Sequence, residues 1–373
     1  MTTTIHSGGF SGWLDRHAGL VMIWPAVLVL LAFAIFPLII SAYLTMSRLD
    51  LVPGGYQLTF VGLRNFNKLL FGSQQDHLLG TMDVLTTIEL AIIGVVVLSM
   101  LWGFWRYLRV GWSSVGGLAV GLIGRLLAAV LILALLVLTL LVANGKGFPG
   151  SLVTTLIYVA IGVTAQFLLG LGLALLVAQP VQGRQFFRVV FFLPLMVTPV
   201  GIAYAFRMLA DMGKGPFAPL WQLLGLHEFA WAADPWAARI VVLIGETWQW
   251  TPFMFLVLLA ALEGLPREQV EAAWIDGAKP VQVFRHITWP AIAPVAATVI
   301  LIRLIEAFKI IDLPNVLTNG GPGFATESLT LHSFIAWRTQ DLGGSAAVGY
   351  MLLFVSAVTC TAFVNFIAKR ARA

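Results

Sequence analysis

Four ionisable residues, Glu246, Arg303, Glu306 and Lys309, stand inside stretches that are otherwise apolar. A charge in hydrocarbon costs about 2.5–3.5 kcal/mol on insertion scales, so such residues point to pairing or to a polar pathway. Arg303 and Glu306 are three apart, a helical spacing that lets them pair on one face. Glu246 opens the run Glu246-Thr247-Trp248-Gln249-Trp250-Thr251-Pro252-Phe253, in which Pro252 frees a backbone carbonyl and the rings offer a stacking surface. Two readings stay open, a solute pocket and an ion pair that only locks helices. Arg207, Arg125 and Glu89 fall near the ends of apolar runs, where long side chains reach the interface.

A second group of residues has the spacing of a short amphipathic clamp. Pro266 is placed as a first-turn proline, residues 267–276 are mostly good helix formers, and Gly277 is placed as a C-terminal stop, which predicts a helix of about three turns. Pro280 starts a second piece with Val281, Phe284 and Ile287 on one face, before Trp289-Pro290 leads back into an apolar run. Such a stripe needs a membrane surface or another protein to cover it.

The elements that must carry these residues follow from composition. The chain has 373 residues, 59% hydrophobic and 10% charged, with a mean hydropathy of +0.92. Soluble domains are about 45–50% apolar and about 25% charged, so a soluble fold is excluded. Apolar runs fall at 20–46, 83–104, 119–143, 152–178, 189–210, 239–263, 291–311 and 345–367. Each approaches the ~20 residues a helical span requires, which predicts an all-α integral membrane protein of about eight transmembrane helices. If the N-terminus (1–19) is cytoplasmic, the inner segments hold Arg16, Arg106, Arg109, Arg184, Arg188, Arg267, Lys279, Arg285, Lys369, Arg370 and Arg372. The outer basic residues lie mostly in longer loops, so both termini are expected inside. No basic n-region with a cleavage site precedes the first run, which reads as a retained span. The net charge of +5 reflects this topology, and no basic run interleaved with aromatics suggests nucleic acid. The single Cys360 excludes an intrachain disulfide and a thiolate zinc cage, and no metal site is expected.

At the clamp the sequence reads Glu271-Ala272-Ala273-Trp274-Ile275-Asp276-Gly277-Ala278, then Phe284, Ile287 and Pro290. This resembles the coupling-loop signature of the membrane subunits of bacterial ATP-binding-cassette importers. Phe60-Val61-Gly62-Leu63-Arg64-Asn65-Phe66, Phe192-Leu193-Pro194, and Thr318-Asn319-Gly320-Gly321-Pro322 with Ala325-Thr326-Glu327 are similar to the sugar-importing branch, the maltose and glycerol-phosphate type of permease. The resemblance implies a type I importer permease core of six spans. It implies a heterodimer with a second permease subunit, an ATPase subunit dimer that binds Mg-ATP, and an extracytoplasmic solute-binding protein, all at a bacterial plasma (inner) membrane. No cofactor is expected in this chain itself, which lacks G-x-x-x-x-G-K-[ST]. Carried over, Glu271, Ala272, Ala273, Asp276, Gly277 and Phe284 would couple to the ATPase through the loop 264–290. Glu246, Gln249, Trp250, Phe253, Arg303, Glu306, Ala307, Ile310 and Leu195 would lie at or near pathway positions. The implied function is ATP-driven import of a sugar or sugar-derived solute.

One segment departs from the family pattern. Between the outer loop (47–82) and the core (146–373) the chain carries a hydrophobic hairpin at 83–145, with apolar runs at 84–104 and 119–143 joined by Arg106, Tyr107 and Arg109. These helices are expected to be peripheral. Two other functions compete. Gly9-Phe10-Ser11-Gly12 matches the G-x-S-G of rhomboid-type intramembrane proteases, but it precedes the first span. An ion-coupled secondary transporter shares the hydropathy, yet needs no clamp helix.

Overall fold

In hydrocarbon every backbone N–H and C=O must be satisfied within the protein, and apolar runs of about twenty residues meet that need as helices. The computed structural model describes residues 22–81, 86–109, 149–179, 183–225 and 229–371, together with residue 19 and scattered positions between 121 and 140. Its long helices are α1 (Met22–Thr45), α4 (Thr87–Leu108), α5 (Ser151–Val177), α9 (Pro235–Glu263), α11 (Pro280–Ala307) and α14 (Leu342–Ala371). Between them lie a hairpin of β1 (Ser47–Val52) and β2 (Gly55–Phe60), and the short helices α2 (Arg64–Leu70) and α3 (Gln75–Leu78). Further along come α6 (Arg184–Met196), α7 (Pro199–Ala210), α8 (Ala218–Leu223), α10 (Arg267–Ile275), α12 (Asp312–Thr318) and α13 (Leu329–Arg338).

Among the described residues six helices are long and apolar enough to cross a membrane, seven if α6 and α7 form one span. The fold class is as expected, but eight spans are not all seen, because about half of the run at 119–143 lies outside the described residues. The expected span at 189–210 is broken: the chain turns by 99° between α6 and α7. Thr198 breaks from helical geometry and its hydroxyl accepts from Gly201 N at 3.4 Å, while Pro199 in the first turn has no N–H with which to continue α6. The expected return at 291–311 is also shifted. α11 ends at Ala307, and α12 begins at Asp312 as a separate turn of chain.

The core lies where α5, α9, α11 and α14 meet, with Val163, Met254, Phe255, Val299, Phe308 and Val348 all buried. α5 and α9 pack closely at Gly170, where an added Cβ would come within 2.5 Å of Met254 Cβ. α1 and α4 stand at the edge and bury almost none of their apolar surface within the chain. α1 leans on α14, whose Tyr350 hydroxyl donates to the Leu38 carbonyl.

One end of the bundle carries the β-hairpin, and the turns between α1 and β1 and between β2 and α2 are tied together by Asn65. Its amide donates to the carbonyls of Thr45 (2.8 Å) and Ser47 (3.0 Å). Lys68 of α2 pairs with Asp341 at 3.1 Å and so fixes α2 against the start of α14. The strands pair antiparallel, Ser47 opposite Phe60. Neither strand was foreseen, since an exposed two-stranded ribbon buries too little to leave an apolar pattern. The opposite end carries α10.

Candidate functional site

Three helices bring polar side chains together within the core. Arg303 of α11 is 1% exposed; its Nε donates to Gln166 Oε1 of α5 at 2.7 Å, and its Nη2 donates to the Glu246 carboxylate of α9. Gln166 Nε2 closes the triangle by donating to the Glu246 backbone carbonyl at 3.2 Å. The Arg303 guanidinium also lies 4.4 Å from the centre of the Trp250 ring, against which Phe253 packs edge-on at 6.2 Å. Arg303 Nη1 and Gln249 Oε1 are buried and find no hydrogen-bond partner among the described residues.

The expected Arg303–Glu306 pair does not form. Arg303 turns inward to Glu246, which it reaches across the helix interface, whereas Glu306 lies a turn further round α11 and pairs with Lys309 at 2.7 Å on a partly exposed face. Ala307 and Ile310 are buried in two apolar clusters, and Leu195 is half-buried near the end of α6. The structure therefore joins Glu246, Trp250, Phe253 and Arg303 in one chain of contacts and gives Ala307 and Ile310 packing positions. Gln166 was missed: a lone polar residue in an apolar run carries no spacing signal.

The weaker sequence candidates have local explanations. Glu89 caps α4, accepting from Thr86 N at 2.7 Å and from the Thr86 hydroxyl at 2.9 Å. Arg207 donates to the Val316 carbonyl at 3.1 Å and ties α7 to α12. Arg125 lies over the Tyr107 ring. At the far end of the bundle Arg188 of α6 pairs with Glu263 at the end of α9.

The clamp segment is a helix ended by sequence. α10 finishes in a left-handed Gly277 (φ +79°), with Gly277 N donating to Trp274 O at 3.0 Å and Ala278 N to Ala273 O at 2.9 Å. Those two bonds are the Schellman pattern, which satisfies carbonyls a helix end leaves open. The second piece is corrected. Pro280 does not begin a separate short helix but the first turn of α11, which runs unbroken into the bundle. Val281 and Val283, two residues apart in its first turn, point to opposite sides, so Val283 is buried and Val281 is 75% exposed, while Phe284 and Ile287, in a π-helical stretch over Phe284–Thr288, are half-buried. Ala273, Asp276, Gly277 and Ala278 face Gln282, Val283, His286 and Ile287 across a groove of about 360 Å³. Glu271 and Ala272 are exposed beside it, as are Trp274 and Ile275. Phe284 is half-buried against Trp289, with ring centres 6.2 Å apart.

Ala325-Thr326-Glu327-Ser328-Leu329, which follow the Thr-Asn-Gly-Gly-Pro turn, form a buried block at the hairpin end. Arg239 of α9 donates to Ala325 O at 2.7 Å, Tyr158 of α5 to Thr326 O at 3.2 Å, and Thr155 accepts from Leu329 N at 2.8 Å. His332 of α13 lies in this block, where burial and the neighbouring His77 push its imidazole down to about 3, so it is neutral at physiological pH. Near α8, Asp211 is held below the usual carboxylate range by the backbone N–H groups of Lys214 and Gly213.

Long apolar helices, an exposed capped helix at one end and a buried charged knot between three of them describe a multi-pass membrane protein. The chain belongs to the family of binding-protein-dependent transport system inner membrane components, which matches residues 166–373. It is a multi-pass permease subunit of an ATP-binding-cassette importer, and ATP hydrolysis belongs to a separate subunit. It is 32% identical over 220 residues to the trehalose/maltose transport system permease protein MalF of Thermococcus litoralis, covering 59% of this chain and 74% of that one. It is 30% identical over 223 residues to the sn-glycerol-3-phosphate transport system permease protein UgpA of Salmonella typhi, covering 59% and 75%. The fold matches a chain of a bacterial ABC transporter involved in the import of the acidic polysaccharide alginate. That match has a TM-score of 0.64 at 17% identity, over 96% of this chain and 97% of the other. A second structure of an alginate transporter, in complex with alginate pentasaccharide-bound periplasmic protein, matches with a TM-score of 0.61 at 16% identity, over 97% and 98%.

Proposed function

We propose that this chain forms, with a second and different permease subunit, the membrane pathway for a sugar or sugar-derived solute delivered by an extracytoplasmic binding protein. Both termini and α10 lie in the cytoplasm and the β-hairpin end faces outward. Relatives named for trehalose/maltose and sn-glycerol-3-phosphate transport support the solute class. The aromatic pair Trp250 and Phe253 beside Gln249 supplies ring faces and an amide suited to a sugar, and Glu246, Arg303 and Glu306 set the polarity of that region. In the conformation described here the Arg303 knot is closed, so solute passage requires α5, α9 and α11 to part.

The observation that carries this reading is α10 itself. A helix ended by a Schellman turn, with Trp274 59% and Ile275 87% exposed, is apolar surface that needs a protein partner. An ATPase subunit dimer that binds Mg-ATP is that partner. The exposed Glu271 carboxylate offers a charged contact to a basic residue of the ATPase, and Ala272 and Ala273 allow close approach. Clamped in this way, α10 transmits a nucleotide-driven movement through the turn at Gly277 into α11, which is continuous from Pro280 to the Arg303 level. Glu271→Lys tests the proposal in reconstituted complex. ATP hydrolysis without solute uptake is expected, and uptake at the normal rate would refute the docking role.

A further inference from the structure

At the hairpin end, residues from two distant parts of the chain converge on one carboxylate. Glu327 Oε1, in the turn before α13, lies 3.0 Å from His77 Nε2 of α3 and 3.7 Å from His332 Nδ1 of α13. One ligand atom from each residue lies within 4.8 Å of the others. The two imidazoles stack, with centres 4.1 Å apart and planes at 19°. Glu327 and His332 are both more than nine-tenths buried. Despite the 3.0 Å approach, His77 Nε2 and Glu327 Oε1 make no hydrogen bond to each other or to any described residue. Two electron-rich atoms at that separation repel unless a proton or a cation lies between them. Ser151, the first residue of α5, brings its hydroxyl within 2.9 Å of His332 Nδ1 and adds an oxygen to the group.

The geometry points to a divalent-metal site of the zinc class, with His77 Nε2, Glu327 Oε1 and His332 Nδ1 as protein ligands and a fourth position open to water beside Ser151. Metal–ligand bonds of about 2.0–2.2 Å in a tetrahedron set neighbouring ligand atoms about 3.3–3.5 Å apart. The 3.0 and 3.7 Å separations bracket that edge, and the two imidazole nitrogens, within 4.8 Å of each other, reach it by rotation of the rings. Two nitrogens and one carboxylate oxygen suit zinc or cobalt better than the harder magnesium or calcium. Single-cysteine arithmetic excludes only thiolate cages, and a His-Glu-His set needs no thiolate. His77 keeps 31% of its side chain exposed, which gives the ion a way in. A bound ion would staple α3 and the segment carrying Glu327 and His332 beside the start of α5. It would hold this block rigid while the helices beneath it rearrange. The inference depends only on this cluster and stands apart from the choice of solute.

The test is Co²⁺ titration of the full complex in lipid nanodiscs after a chelator wash, followed by visible absorbance, with the same titration on the His77→Gln complex. The wild type is expected to bind about one more equivalent per permease chain, with the intense visible bands of four-coordinate cobalt, and His77→Gln to weaken binding by at least about tenfold. Metal sites on the ATPase subunits contribute equally to both samples. Glu327→Gln should abolish the bands; if that buried variant does not assemble, His77→Gln decides alone because its side chain reaches the surface. Zn²⁺ should raise the melting temperature of the wild type and leave His77→Gln unchanged. Identical cobalt binding by wild type and His77→Gln would overturn the site and leave a shared proton as the bridge.

Discussion

Arg303 donates through Nε to Gln166 at 2.7 Å, across the interface between α11 and α5, while its other arm holds Glu246 of α9. A single guanidinium thus ties three helices whose sequence positions span from residue 166 to 303. Taking charge out of water is costly, and the pair offsets that cost only while both partners and their hydrogen bonds are present. Glu246→Ala should therefore destabilise the assembled protein by about 3–5 kcal/mol, because it strands a buried cation. The double replacement Glu246→Gln with Arg303→Met should recover most of that loss. Thermal unfolding of the purified complex reads both; a double variant as unstable as the single would show that the pair is not what holds the helices.

The close approach of α5 and α9 gives a second expectation. At Gly170 an added Cβ would stand 2.5 Å from Met254 Cβ and 2.9 Å from Phe255 N, and at Gly172, half a turn away, it would meet nothing within 4 Å. Overpacking a close interface costs about 1–3 kcal/mol, so Gly170→Ala should lower stability by that amount and Gly172→Ala should leave it nearly unchanged. Equal melting temperatures for the two variants would contradict the described packing.

What the sequence made legible follows from the range of each signal. Spans are local: about twenty consecutive apolar residues announce themselves, and α1, α4, α5, α9 and α14 lie close to their expected places. The stop at Gly277 is local too, and it forms at the position expected. The break at Thr198-Pro199 was within reach of the same reasoning, since proline after a capping threonine marks a helix start even inside an apolar run. Pairings are not local. Arg303 has Glu306 at helical spacing, but the partner it takes lies on another helix, and helical spacing alone does not decide between them. The hairpin-end cluster is less legible still, because His77 and His332 are far apart in the chain and neither belongs to a spacing motif.

Gly277 offers a prediction that separates coupling from stability. Its φ of +79° lies in the left-handed region, where a residue with a Cβ pays roughly 1–2 kcal/mol. Gly277→Ala should strain the turn from α10 into α11 while leaving the buried bundle intact, and Gly277→Asn should be milder, because asparagine tolerates that conformation. The expected result is a near-normal melting temperature with reduced uptake per ATP hydrolysed, Ala below Asn below wild type. Equal coupling ratios in all three proteins would remove the turn from the transmission path.

The inserted hairpin can be tested by removal because of where its ends meet. Gly80 and Pro149 pair as an isolated antiparallel bridge, so the chain leaves the core and rejoins it at one point. The helix that is described within the insertion, α4, buries 6% of its most apolar window, and its Trp102 and Trp105 are more exposed than buried. Replacing residues 82–147 with a short Gly-Ser linker therefore spans a small gap and, among the described residues, takes only the partly buried Leu135 from the main apolar cluster. A linker of a few residues closes such a loop at little entropic cost. The shortened chain should still assemble with the ATPase and carry out ATP-dependent uptake at a rate near that of the full-length protein, read in proteoliposomes. Assembly with loss of uptake would instead assign the hairpin a part in transport, through contact with another subunit or the binding protein.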